Sequence, residues 1–342
     1  MGRLILLSIG LVLVFLVAGC GTTKMSYTAK EKVSMLEQSY KSGSTTTAEA
    51  APPPATTQTA VAQPESGDAA GSQEFAWRNA KVTKPDAIGV IIGNGGYAKF
   101  RNGIPDVNFA HRDAQAMKKV FVTELGLDPE NIIYVEDATQ ATMFSVFGTK
   151  DNPKGKLFNW IKPNVSEVYI YYTGHGAPSQ TTQSAFLIPV DASVNYLNET
   201  GYSLTTLYKN IERLPSKENT VIIDACFSGD SSGGPLFKNV SPAMLRYASH
   251  TKQIKKTCLI SSTSAGQLSN WYPQKEHSLF TYYLLSGLSG KADVNDDNNV
   301  TLSELKRYVC EEVSYRAKRL SGREQTPVFM ARNMEKVVAT VK

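Results

Sequence analysis

A chain of 342 residues with a formal net charge of +5 and 20% charged residues is long enough for one sizeable domain with its own core. The charge is modest and dispersed, with no basic stripe interleaved with aromatics, so nucleic acid is not expected as a partner. No glycine-rich phosphate loop and no clustered Cys/His zinc spacing occurs either.

Met1-Gly2-Arg3 puts a positive charge before the apolar run Leu4 to Val17. The run is short for a membrane span and reads as a signal-peptide core. It closes in Leu16-Val17-Ala18-Gly19-Cys20, which is similar to a bacterial lipobox. That resemblance implies removal of residues 1–19 and diacylation of Cys20, giving the protein a membrane partner through its lipid. Gly21, where Asp could stand, resembles the signal for outer-membrane transport in Gram-negative cells. The expected location is the exported side of a cell envelope, on the outer membrane facing the periplasm if the cell is of that type.

Residues 20–40 are polar, with a short helix expected from Val33 to Tyr40. Over 41–74, Thr, Ala, Pro, Ser and Gly dominate around Pro52-Pro53-Pro54. Such a stretch buries too little apolar surface to offset its conformational entropy, and it reads as an extended tether.

The folded domain is expected over 75–342. Asp86 to Ile92 is a buried-strand run broken by Gly93-Asn94-Gly95-Gly96, and Phe109 to Leu125 has apolar residues at helical spacing. Strands follow at Asn131–Val135, Val168–Tyr172, Ala185–Pro189, Val221–Ile223 and Thr257–Ser261. Helices are expected at Thr139–Phe147, Gly155–Ile161, Leu204–Leu214, Ser278–Leu288 and Leu302–Leu320. This alternation predicts an α/β fold: a mostly parallel central sheet with helices on both faces.

Two of these strands end alike. Val168-Tyr169-Ile170-Tyr171-Tyr172 runs into Thr173-Gly174-His175-Gly176, and Val221-Ile222-Ile223 runs into Asp224-Ala225-Cys226-Phe227-Ser228-Gly229. Taken singly, a Cys after a strand is usually a small buried hydrophobe, and a His among glycines a turn residue. Taken together they place a base and a nucleophile at carboxyl strand ends, where α/β sheets collect their chemistry.

YYTGHG followed by IIDACFSG resembles the caspase-like cysteine proteases, the group that includes metacaspases and paracaspases. A His about 50 residues before the Cys suits that group, and the residues in question are His175 and Cys226. The caspase pattern Q-A-C-[RQG]-G is not met, because Asp224 replaces the Gln and Phe227-Ser228 follows the Cys. D-A-C-x-S-G is similar instead to the metacaspase and paracaspase pattern. The resemblance runs from about Lys84 to the C-terminus and implies a three-layer caspase-like fold, a protein or peptide substrate, and no cofactor for the chemistry. Cys226 would attack the peptide carbonyl and His175 would handle the proton. Backbone N–H groups of Gly176 and Cys226 would meet the oxyanion. No third catalytic member is evident.

The resemblance also assigns the pocket for the residue before the scissile bond to acids at positions like Asp113 and Asp224. Thr173 is placed with them. Two carboxylates there favour Arg, then Lys. Alternation in a strand would turn Asp224 and Cys226 to the same side. In related enzymes the stretch Ser228 to Lys256 separates two subunits and is cut; an uncut exposed loop suits this basic, glycine-containing segment equally well.

Asp293 to Glu304 follows the pattern of an EF-hand calcium loop, with Asn298 where Gly is usual. Asp293, Asn295, Asp297, the Asn299 carbonyl and Glu304 would be the ligands, with Thr301 binding directly or through water, for a structural Ca2+. An Asx-rich turn capping the last helix is the plainer reading. Cys258 and Cys310 read as packing residues, with a disulfide between them left open. The expected function is a membrane-tethered cysteine endopeptidase. The alternative is a lipid-anchored, catalytically silent scaffold of the same fold.

Overall fold

The computed structural model describes residues 75, 77–178, 185–227, 230–231, 234–235, 255–264 and 266–341. The leader, Cys20, the polar segment and the tether lie outside these residues, as does most of the 228–256 stretch. In chain order the elements are β1 (Ile88–Gly93), α1 (Ala110–Thr123), β2 (Ile132–Glu136), α2 (Gln140–Phe147), α3 (Lys156–Trp160) and β3 (Glu167–Thr173). Next come β4 (Gly176–Pro178), β5 (Ala185–Leu187), α4 (Leu197–Thr200), β6 (Tyr202–Ser203), α5 (Leu204–Glu212) and β7 (Glu218–Asp224). The small pair β8 (Asp230–Ser231) and β9 (Gly234–Pro235) precedes β10 (Thr257–Ser261), β11 (Trp271–Tyr272), β12 (His277–Ser278) and α6 (Leu279–Ser286). The chain ends in β13 (Asn299–Thr301), α7 (Leu302–Ser321), β14 (Val328–Met330) and β15 (Val337–Thr340).

Six strands form the central sheet in the order β14-β10-β7-β3-β1-β2. The pairs β10–β7, β7–β3, β3–β1 and β1–β2 are parallel, and β14 closes one edge antiparallel to β10. This is the expected α/β class. Its strands are apolar throughout because both faces are covered. Ile91, Tyr169, Tyr171, Ile222 and Ile260 share one core with the buried faces of α1, α6 and α7. The residues between them, among them Val90, Ile92, Ile170, Tyr172, Val221 and Ile223, share the opposite core with α2 and α5. The period of two in strands and 3.6 in helices thus yields three layers.

The order of the strands reverses at β1. The chain steps outward from β1 to β2, then returns past β1 to β3 and continues to β7 and β10. The carboxyl ends of β1 and β3 therefore flank a switch point, the place where open parallel sheets leave a crevice. Gly174-His175 emerge there.

Observed bounds lie within a few residues of the expected ones for every element expected from Asp86 onward; the helix expected at Val33–Tyr40 lies outside the described residues. The helix expected to end at Leu288 stops at Ser286, and Gly287–Lys291 continues as a π-turn with Gly290 at φ 115°. Wide turns of this kind relieve a helix that cannot continue. Cys258 and Cys310 pack beside the α1/α6/α7 core and are both free thiols, so the disulfide left open above is absent. Among the described residues, no helix is long and apolar enough to cross a membrane.

Candidate active site

Parallel register fixes where the two reactive groups emerge. Thr173 pairs with Asp224 at the ends of β3 and β7, and Gly174 N–H then donates to the Asp224 carbonyl at 3.3 Å. His175 lies two residues beyond the end of β3, and Cys226 two residues beyond the end of β7. Both line one small cavity with Thr173, Asp224, Ser269, Trp271 and Ser278.

His175 is held at its backbone N–H, its carbonyl and its Nε2. Its N–H donates to the Tyr97 hydroxyl at 3.0 Å, and its carbonyl accepts from the Tyr172 hydroxyl at 2.8 Å and from Ile188 N–H at 3.0 Å. The Tyr97 ring lies against the imidazole, centroids 4.7 Å apart. Nε2 stands 2.8 Å from the Pro105 carbonyl. A carbonyl can only accept, so Nε2 carries the proton and Nδ1 keeps its lone pair. Burial holds the imidazole down at about 4, against the smaller opposing pull of that carbonyl. At neutral pH His175 is therefore a free base.

The glycines on either side of it are required. Gly174 has φ 154°, and a Cβ there would meet the Tyr172 and Tyr97 hydroxyls at 2.9 and 3.0 Å. A Cβ on Gly176 would lie 2.6 Å from the Cys226 carbonyl and 2.5 Å from the Phe227 ring. Backbone and thiol segment can approach this closely only at glycine. Gly176 thus stands beside the Cys226 backbone, although it does not line the cavity.

Ser269 joins Cys226 to Asp224. Its N–H donates to the Cys226 sulfur at 2.7 Å, and its hydroxyl donates to Asp224 Oδ1 at 2.9 Å. Gln325 supports it, donating to the Ser269 hydroxyl at 3.1 Å and accepting from Asn270 N–H at 2.9 Å. Asp224 takes further hydroxyl bonds on Oδ2 from Thr281, at 2.7 Å, and from Ser278. Alternation continues past the end of β7, as expected: Val221, Ile223, Ala225 and Phe227 share one core, and Asp224 and Cys226 both line the cavity. Asp113 lies one layer behind. Its carboxylate meets His277 Nδ1 at 2.5 Å and accepts from Ser278 N–H at 3.1 Å. Asp113 does not line the cavity; Ser278 stands between the two acids. Burial pushes Asp113 up to about 6, although His277 pulls it down.

The cavity is about 30 Å³, room for about one water. Pro105, Tyr97, Ser269, Trp271, Ser278 and Gln325 were not singled out in the sequence. Only Tyr97 carried a signal, since it follows the glycine-rich break at the end of β1. The Pro105 contact is a main-chain carbonyl and leaves no trace in residue type.

In the 293–304 loop, Asn298 has φ 67°, the left-handed backbone that the loop pattern asks of that position. Asp293 accepts from Asp297 and Asn298 N–H groups at 3.3 and 3.0 Å. Glu304 forms a capping box with Thr301 at the start of α7. Among the described residues, no group of three or more His, Cys, Asp and Glu is arranged to hold a metal.

A family model described as the caspase domain matches residues 87–339. The chain belongs to the caspase-domain family. The match spans every strand of the central sheet and both reactive residues. No curated protein matches the sequence.

His175 and Asp113 have opposite effects on stability against pH. His175, held below its ordinary 6.5, contributes stability above pH 6.5 that is lost as pH falls through about 4. Asp113, held above its ordinary 3.8, contributes stability below pH 3.8 that is lost as pH rises through about 6. Each contribution is about 3 kcal/mol and the two largely offset between pH 4 and 6.5. In Asp113→Asn, urea-denaturation stability should rise with pH across that window more steeply than in the wild type. In His175→Gln it should fall. Equal slopes in all three proteins would refute the assignment.

Proposed function

We propose that this caspase-family protein is a cysteine endopeptidase working through Cys226 and His175. The observation that carries the reading is the Pro105 carbonyl on His175 Nε2. It leaves Nδ1 as the free base in the cavity that Cys226 also lines. In this scheme Nδ1 takes the thiol proton as sulfur attacks the substrate carbonyl, and returns it to the departing amine. The resulting thioester is hydrolysed by water. The oxyanion is met by main-chain N–H groups of Gly176 and Cys226, which the glycine allows to lie close together.

The proposed preference is for Arg, then Lys, before the cut bond. Asp224 is the acid in the cavity, and Asp113 adds negative charge one layer behind. A guanidinium would replace hydroxyl donors on Asp224 with charge-assisted ones. A cavity of about 30 Å³ must widen to admit it, and Trp271 and Ser278 are the side chains in the way. A peptide library should show cleavage after Arg above Lys and negligible cleavage after Asp. Cys226→Ala should abolish turnover while melting like the wild type. Full activity in Cys226→Ala would sink the enzyme reading and leave the silent scaffold; preference for Asp would overturn the pocket alone.

The proposed location is the exported face of a membrane, through lipid on Cys20. The basis is the apolar run and small residues before Cys20. Mass spectrometry of membrane-extracted protein should find a chain beginning at Cys20 with added acyl mass. A soluble, unmodified chain beginning elsewhere would rule this out.

A weak structural calcium site at Asp293, Asn295, Asp297, Asn299 and Glu304 is proposed from the loop spacing and the backbone of Asn298. Several of these ligands are neutral, so affinity of roughly 0.1–1 mM is expected. Absence of calorimetric heat, together with an unchanged melting temperature at millimolar calcium, would refute it.

A further inference from the structure

A second cavity, walled mainly by apolar side chains, lies at the other end of the sheet from the active site. It has a volume of about 330 Å³ and opens where β7 and β10 begin, at Glu218-Asn219-Thr220 and Thr257-Cys258. Cys226 follows the opposite end of β7. At about 3.3 Å per residue the two sites stand roughly 20 Å apart.

The walls are apolar. Ile222 and Ile260 come from the sheet, Phe121 from α1, Leu284 from α6 and Leu305 from α7. All five side chains are buried. Protein interiors seldom leave voids larger than a water. This one reaches the size of small-molecule pockets, which start at about 300 Å³ and are mostly apolar with a few convergent polar groups. Cys258 lines the same wall, and burial pushes its thiol up to about 12, as expected of a dry site.

The mouth has the opposite character. Lys217, Lys255, Lys256, Arg332 and Lys336 line it with a single carboxylate, Glu218. Lys336 pairs with Glu218 at 2.5 Å, and Lys217 reaches Glu167 at 3.6 Å. The Lys256 ammonium donates to the carbonyls of Leu214 and Ser216. Arg332 reaches the Lys255 carbonyl at 3.4 Å. Among the described residues, the Lys255 ammonium has no partner. The rim therefore carries more positive charge than its own acids neutralise.

We propose that this cavity binds one straight-chain fatty carboxylate, its chain between the sheet and α1, α6 and α7 and its head among Lys255 and Arg332. An apolar interior of this volume takes a single chain and not two. The cationic rim selects an anionic head over a neutral or cationic one. The proposal is independent of the proteolytic reading, because none of its residues touches the active-site cavity.

Calorimetric titration of the full chain with dodecanoate below its micellar concentration tests this. Saturable binding with one site is expected, with none for dodecyltrimethylammonium. The double variant Lys255→Glu/Arg332→Glu, at the rim, should weaken dodecanoate at least tenfold. Ala331→Trp, at the half-buried mouth, should abolish binding while thermal melting shows a folded domain. Cys226→Ala should bind as the wild type does. No saturable heat, equal binding of the cationic amphiphile, or binding unchanged in both cavity variants would overturn the proposal. The last result would place the ligand on another part of the chain, such as the apolar run at 4–17.

Discussion

The parallel pairing of β3 with β7 is the constraint on which the rest depends. Their seven-residue register ends with Thr173 opposite Asp224, and the two chains leave the sheet at the same height. A slip of one residue would exchange the two faces of each strand and send Tyr171 and Ile222 into the wrong core. It would also part His175 from the Cys226 turn. The geometry of the candidate site is therefore maintained by apolar packing along the whole strand, and the polar contacts at its end only refine it. Tyr97 shows that refinement: one hydroxyl accepts from His175 N–H and donates to the Ile188 carbonyl at 2.9 Å. It ties the histidine to the loop after β5.

Against that apolar background, the two buried acids are costly. A carboxylate withdrawn from water without partners is disfavoured by several kcal/mol. Asp224 is offset by three hydroxyls, and Asp113 by His277 and the Ser278 N–H. Ser278 serves both acids, with its hydroxyl on one and its backbone on the other. Such a network is stable only when each member is satisfied, which accounts for the many Ser and Thr residues around the ends of β7, β10 and α6. Stability alone would favour apolar residues of similar volume at these two positions. Their presence within one network of the thiol fits a role in recognition.

The layers were legible because their signals are local. Apolar runs such as Val221-Ile222-Ile223 and helical spacing in Phe109–Leu125 depend on neighbours within a few residues, and both reactive residues sit directly after such runs. What escaped was set by distant contacts. β14 is three residues, too short to show a period, and is a strand because β10 offers it an edge. Ser269 lies 43 residues from Cys226 and Gln325 lies 56 residues from Ser269, with nothing in their surroundings to mark them. Resemblance placed Asp113 with the pocket acids, and residue type alone gave no sign of its bonds to His277 and the Ser278 N–H, which the packing of α1 against β12 sets. The apolar cavity below the sheet had no sequence signature at all, since its walls are the same residues that would fill an ordinary core.

On the proposed specificity, the closed cavity is part of the discrimination. Selectivity is a difference between partners, and a site already satisfied discriminates by what can displace its occupants. Asp224 is satisfied by neutral hydroxyls, so a neutral side chain gains nothing by entering and an acidic one meets two buried carboxylates. Only a cation offers Asp224 stronger bonds than those it holds. The reward must also cover the movement of Trp271 and Ser278 that makes room. Arg, with a planar fork that can bind both carboxylate oxygens at once, exceeds Lys here because a single ammonium replaces fewer of the hydroxyl bonds that entry disrupts.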